Sequence, residues 1–287
     1  MDTRIFDATP TRHERRCAQA RALLMPRAPP AMTSLHLPYI RRLMPTFNKP
    51  LLIHPALILI AGLVVTRGFA IDRLWADALY RLEGGHWALR NAWFTARLLH
   101  EYGQRFSIVW GVGLLAFTAL SLCLSRLRSW RRSLVCLCAS VLSSLLLVSL
   151  SKHWLALPCP WDLQRYGGDL LGHAYALYPG EVGGCFPAGH AAGGYCLVGL
   201  YFLARDQHLQ RPWLWLLPAA FIGPVYGLAQ QLRGAHFLSH DLVSAALCWF
   251  VSYAVFALAG AGRKNAWPAH ATHPAPSVAM ETKRLSE

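Results

Sequence analysis

Six runs of apolar residues, each long enough to cross a bilayer as a helix, punctuate the chain between residues 50 and 261. They are 50–66 (PLLIHPALILIAGLVVT), 106–125 (FSIVWGVGLLAFTALSLCLS), 133–151 (SLVCLCASVLSSLLLVSLS), 188–204 (AGHAAGGYCLVGLYFLA), 213–232 (WLWLLPAAFIGPVYGLAQQL) and 239–261. A hydrocarbon core of ~30 Å takes about 20 helical residues, with a range of about 17–25. The pattern therefore predicts an all-α fold, an integral membrane bundle of six helices. The competing reading, buried helices of a soluble all-α protein, fits these lengths less well. Two runs are weaker: His54 sits in the first, and the fourth is rich in glycine. Between the first and second runs, DRLWADALYRL and WALRNAWFTARLL mix polar and apolar positions, as amphipathic helices lying at the interface do.

Composition supports the membrane reading. Hydrophobic residues make up 54% and charged residues only 15%, against about a quarter charged in soluble chains. That leaves too little charge to coat a globular surface, and too much apolar content for disorder throughout. The net charge of +14 reads as arginine-rich cytoplasmic loops rather than nucleic-acid binding. Eight cysteines in 287 residues are too sparse for a disulfide scaffold.

The charge is placed unevenly. Residues 1–48 form a basic segment broken by Pro26, Pro29 and Pro30, with no apolar stretch to make a cleaved signal peptide. The expected organisation is a disordered basic tail over 1–48, a six-span domain over 49–262 and a cytoplasmic tail over 263–287. Arg126, Arg128, Arg131 and Arg132 follow the second run; Arg205 and Arg211 follow the fourth; Arg263 and Lys264 follow the sixth. All fall on one side of an even-numbered bundle, so that side is expected to be cytoplasmic.

Three polar clusters fall on the opposite side. The first is Lys152 and His153, then Cys159-Pro160-Trp161-Asp162. The second is CFPAGHAAGG, residues 185–194. The third is QLRGAHFLSHDL, residues 231–242. Ionisable residues where spans meet the outer surface are candidates for function. Pro187 suits a first helical turn, which places Gly189 and His190 among N–H groups without intrahelical partners, a setting that binds phosphate. Gly189 and Gly193 also permit plain helix packing, but packing has no need of a histidine. Arg233, His236 and His240, at i, i+3 and i+7, share one face if helical and suit a phosphoryl group. Two other readings stand beside this: a basic patch touching lipid headgroups, and a metal site using His236, His240 and Asp241. The metal reading lacks the glutamate of a His-Glu-x-x-His site.

Taken together, these clusters resemble the type 2 phosphatidic acid phosphatase superfamily, membrane phosphatases related to vanadium haloperoxidases. That family shows a lysine followed seven and eight residues later by Arg-Pro, then Pro-Ser-Gly-His, then Ser-Arg, five residues, His, three residues, Asp. Lys152 and Pro160 match the first motif, with Cys159 in place of its arginine. Pro187, Gly189 and His190 match the second, with Ala188 in place of its serine. His236 matches the histidine of the third, but Ala229 and Gln230 occupy the Ser-Arg positions and His240 the aspartate position. Arg233 follows the missing arginine by about one helical turn, and Asp241 follows the missing aspartate by one residue.

The resemblance implies hydrolysis of a lipid phosphate or diphosphate through a phosphohistidine, with no metal or other cofactor. His236 is then the nucleophile and His190 the group that protonates the leaving oxygen and activates water. Lys152, Arg233 and the N–H groups near Gly189 meet the phosphoryl charge. Either His240 or Asp241 orients His236. The implied setting is a multi-pass protein of the inner membrane, its site facing the periplasm or exterior, with membrane lipids around it and no nucleic acid. Phosphoryl transfer to another lipid and non-catalytic lipid-phosphate binding are the alternatives. Finally, Cys159 and Cys185 are the two cysteines in the outer loop 152–187, where an oxidising compartment favours a disulfide between them; two unpaired thiols sharing a loop is the other possibility.

Overall fold

A computed structural model describes residues 48–171 and 183–260. The tails expected at 1–48 and 263–287 lie almost entirely outside the described residues. Those described are helices and turns. Helix α1 (Lys49–Leu63) starts with a proline in its first turn and widens into a π-turn (Val64–Gly68). A short amphipathic helix, α2 (Ile71–Leu82), follows. A second π-helical stretch (Trp93–Tyr102) runs straight into α3 (Gly103–Cys123). Next is α4 (Arg131–Leu155), which ends where Ala156 adopts a left-handed φ of 42°. Helix α5 (Gly189–Tyr195) passes through a 3-10 turn (Cys196–Val198) into α6 (Gly199–Asp206). The last two are α7 (Leu217–Leu232) and α8 (Leu238–Gly260).

Among the described residues, five helical stretches are long and apolar enough to cross a membrane: Lys49–Gly68, Ala88–Cys123, Arg131–Asp162, Pro212–Leu232 and Leu238–Gly260. The fourth apolar run, helical over residues 189–206, is not among them. Its neighbours explain its composition. Ala191, Ala192, Phe202 and Ala204 are wholly buried, because α4, α7 and α8 pack around this helix. A helix enclosed by protein has no need of bulky lipid-facing side chains. One expectation changes: WALRNAWFTARLL does not form a separate interfacial helix, because its WFTARLL part belongs to the wide first turns (Trp93–Tyr102) of the helix that continues as α3.

Burial differs from that of a water-soluble protein in its polar and its outward-facing residues. Ser133, Ser140, Ser144, Ser244 and Ser252 are fully enclosed, while Ile58, Val109, Leu146, Phe221 and Leu258 face outward. Small residues inside and large apolar residues outside are what a lipid solvent selects, since close packing rather than water exclusion then joins the helices. This is a multi-pass membrane protein. The closest crossing is α5 on α7: a Cβ on Gly194 would come within 2.5 Å of the Gly223 nitrogen, and one on Gly223 would strike the Tyr195 ring.

The basic loops meet at one end of the bundle. Arg132 pairs with Asp206 at 3.3 Å, Ser133 also bonds Asp206, and Gln207 Nε2 donates to the Ser129 carbonyl at 3.1 Å. Along α4, Lys152 lies 21 residues beyond Arg131, or ~31 Å at the helical rise. The lysine and the arginine-rich loops are thus one hydrocarbon thickness apart.

Candidate active site

The three polar clusters, far apart in sequence, are joined through their backbones. Cys159 and Cys185 form a disulfide with Cα atoms 5.2 Å apart, and the Cys185 N–H donates to the Leu157 carbonyl at 3.1 Å. These bonds tie the first cluster to the second. The Trp161 N–H donates to the Gly234 carbonyl at 3.0 Å, tying the first to the third. Ala188 links the second to the third: its N–H donates to the His240 carbonyl at 3.3 Å, and its carbonyl accepts from Ser244 Oγ at 3.0 Å. Gly234 makes the turn before α8 with φ +72°, where a Cβ would also run into the Trp87 ring, so this position is restricted to glycine.

Lys152, Gly189, His190 and His236 line one end of a cavity of about 590 Å³. Lys152 reaches across α5: a Cβ on Gly189 would lie 3.2 Å from its Nζ. The His190 ring lies between two others, Tyr226 at 4.6 Å and His100 at 4.8 Å between centroids. Its Nε2 is 2.9 Å from the Leu99 carbonyl. From this polar end the cavity continues between α3 and α4, walled by residues such as Ile108, Leu115, Val141 and Leu145.

His236 is buried, and its Nδ1 has no hydrogen-bond partner among the described residues. Burial, reinforced by His240 and the Lys152 charge, holds its imidazole well below the ordinary value of 6.5. The ring is therefore neutral at physiological pH, the form in which an imidazole nitrogen is nucleophilic. His240 is wholly buried with its ring centroid 5.7 Å from that of His236. Both rings lie against the Cys185 main chain, but among the described residues neither His240 nitrogen has a hydrogen-bond partner of full geometry.

Three of the candidate catalytic and phosphate-binding residues lie outside the cavity wall: Arg233, His240 and Asp241. Arg233 Nε donates to the Arg90 carbonyl at 2.8 Å and Nη1 to Gln230 Oε1 at 3.1 Å; Gln230 itself lines the cavity. The Asp241 carboxylate accepts from Gln231 Nε2, whose Oε1 takes the Trp75 indole N–H at 2.7 Å. Of the two groups considered for orienting His236, His240 is its neighbour and Asp241 is engaged with α7. His236, His240 and Asp241 do not gather as metal ligands. Among the described residues, the ligand-type side chains that do gather are Cys159, Asp162 and Cys185, and two of these are already bonded to each other.

His100, Gln104 and Ser107 also line the cavity and were not singled out from the sequence. Their signal is a polar stripe at i, i+4 and i+7, continuing to Gly111, that runs into the apolar body of the helix. Residues 133–264 match the family model of the PAP2 superfamily. That range takes in all three clusters and leaves out α1 to α3. The chain has no match among curated proteins or among solved structures. Residues 133–264, which supply Lys152, Gly189, His190 and His236 to one cavity, match the PAP2 superfamily over a little under half of the chain, and this match supports a function of the phosphatase type.

Proposed function

We propose that this protein hydrolyses a lipid phosphate or lipid diphosphate at the non-cytoplasmic face of the inner membrane. The observation that carries the reading is the two-ended cavity. A cation, a glycine and two imidazoles stand at one end, and an apolar wall between two lipid-exposed helices forms the other. A molecule that fills both ends has a phosphoryl head and a hydrocarbon tail. The helix over 189–206 completes a six-span bundle from within, and the arginine-rich loops one membrane thickness away supply the cytoplasmic face.

In this reading His236, neutral and buried, attacks phosphorus. The ester bond to the lipid oxygen breaks, and a protonated imidazole, His190 by its motif, gives that oxygen its proton. The same imidazole then takes a proton from water as water displaces the histidine and inorganic phosphate leaves. Lys152 and the N–H groups near Gly189 meet the negative charge on the phosphoryl oxygens. No step calls for a metal.

Non-catalytic lipid-phosphate binding is the second reading. It is favoured by Ala188 and Cys159 in place of a serine and an arginine, and by Arg233 bonding Arg90 and Gln230. Phosphate release from a panel of lipid phosphates by the purified protein in detergent, with EDTA present, tests both. Release at an undiminished rate supports the histidine route. Loss on chelation points to a metal, and binding without release to a binding protein.

A further inference from the structure

The π-helical turn Trp93–Tyr102 changes what His190 can do. In a regular α-helix the Leu99 carbonyl is closed by the N–H four residues on, that of Gly103. Here the Gly103 N–H turns to the His100 carbonyl instead. The Leu99 carbonyl meets His190 Nε2 at 2.9 Å, and the Gly103 carbonyl takes the Tyr226 hydroxyl at 3.0 Å. A carbonyl only accepts, so Nε2 carries the hydrogen and Nδ1 holds the lone pair. Neutral His190 has therefore committed its one hydrogen to the backbone. It can receive a proton at Nδ1, but it has none to give the substrate until it does.

His100 comes from the same turn. It lines the same cavity, and its ring lies 4.8 Å from that of His190 at an inclination of 31°. Lys152 from α4, Arg233 from the turn before α8 and Glu101 on its own turn are the charges acting on it. Two imidazolium rings this close, beside a lysine and an arginine, repel each other, so the pair holds no more than one proton at a time.

We propose that His100 is a third catalytic imidazole, sharing with His190 the proton that goes to the leaving oxygen. The inference rests on the phosphatase reading above. As the His236 nitrogen bonds to phosphorus and the P–O bond to the lipid breaks, the proton shared by His100 and His190 passes to the lipid oxygen and frees the alcohol. In the second step the neutral His100–His190 pair takes a proton from water while the water oxygen attacks phosphorus. The P–N bond then breaks, inorganic phosphate departs, and His236 is restored.

A group that protonates a leaving oxygen matters when that oxygen is basic and is dispensable when it is not. The test compares full-length protein with its His100→Gln variant on two tailed substrates, an alkyl phosphate and a nitrophenyl phosphate carrying the same chain. The expected result is a loss of about a hundredfold on the alkyl ester with the nitrophenyl ester kept within roughly threefold. His100→Phe, which keeps a ring against His190 but carries no proton, gives the same split. Equal losses on both substrates, or no loss on either, overturn the proposal. Absence of turnover of both substrates by the unsubstituted protein instead removes the phosphatase reading itself.

Discussion

His236 and His240 meet edge to face, their ring centroids 5.7 Å apart, where the related family carries an aspartate at the second position. Asp241, one residue on, bonds Gln231 instead. His240→Ala, which removes the ring that packs His236 in place, is expected to lower kcat on the order of a hundredfold. Asp241→Asn, which keeps a side chain able to bond Gln231, is expected to stay within about threefold of the parent. Steady-state rates on one lipid phosphate decide this, and the reverse order would assign the orienting role to Asp241.

His236→Ala removes the nucleophile and is expected to abolish turnover while leaving the detergent-purified protein folded. A variant retaining more than about a tenth of the rate, a barrier change under ~1.4 kcal/mol, excludes His236 from that role. The neutral form persists down to a pH well below 6.5. As pH falls, protonation of the free protein's nucleophile therefore limits kcat/KM only below that value. An acid limb from His236 above pH 6.5, identified by its absence on a substrate-bound kcat profile, contradicts the buried, neutral ring.

Arg233 holds two acceptors at once, the Arg90 carbonyl and Gln230 Oε1. A lysine keeps the charge but not the fork. Arg233→Lys is expected to be slowed on the order of tenfold and Arg233→Ala further, measured as kcat/KM on the same lipid phosphate. Parental rates in both variants would show that the cavity works without this guanidinium.

Breaking the Cys159–Cys185 bond, which spans 26 residues of sequence, is expected to cost roughly 3–4 kcal/mol of stability by chain entropy. Cys159→Ser and Cys185→Ser are expected to lower the unfolding midpoint equally, and a reductant to lower the parent to match them. Thiol labelling of both cysteines in the folded, unreduced protein would show that the bond does not form in solution.

The helices were legible because a lipid-facing helix must be apolar along its whole length, which leaves a plain record in sequence. The 189–206 helix left a weaker one, since α4, α7 and α8 cover it and select Gly and Ala there. Lys152, Gly189, His190 and His236 could be read from motif spacing. His100 could not: 90 residues separate it from His190, and it sits in a stretch whose mixed polarity imitates an interfacial helix. Only the continuity of the π-turn with α3 turns that polarity toward the cavity. Arg233 was readable as a cation near the site, but its bonds to Arg90 and Gln230 depend on a chain segment far away in sequence.

The contact of Gly194 with Gly223 sets where inactivating alleles should arise. Neither residue carries a functional group, yet a single added methyl at either forces α5 and α7 apart. His190 rides on the first of these helices and Tyr226, which packs its ring, on the second. A random mutagenesis screen for lost activity should therefore recover Gly→Ala changes in the membrane interior alongside histidine replacements, with temperature-sensitive phenotypes marking the glycine class.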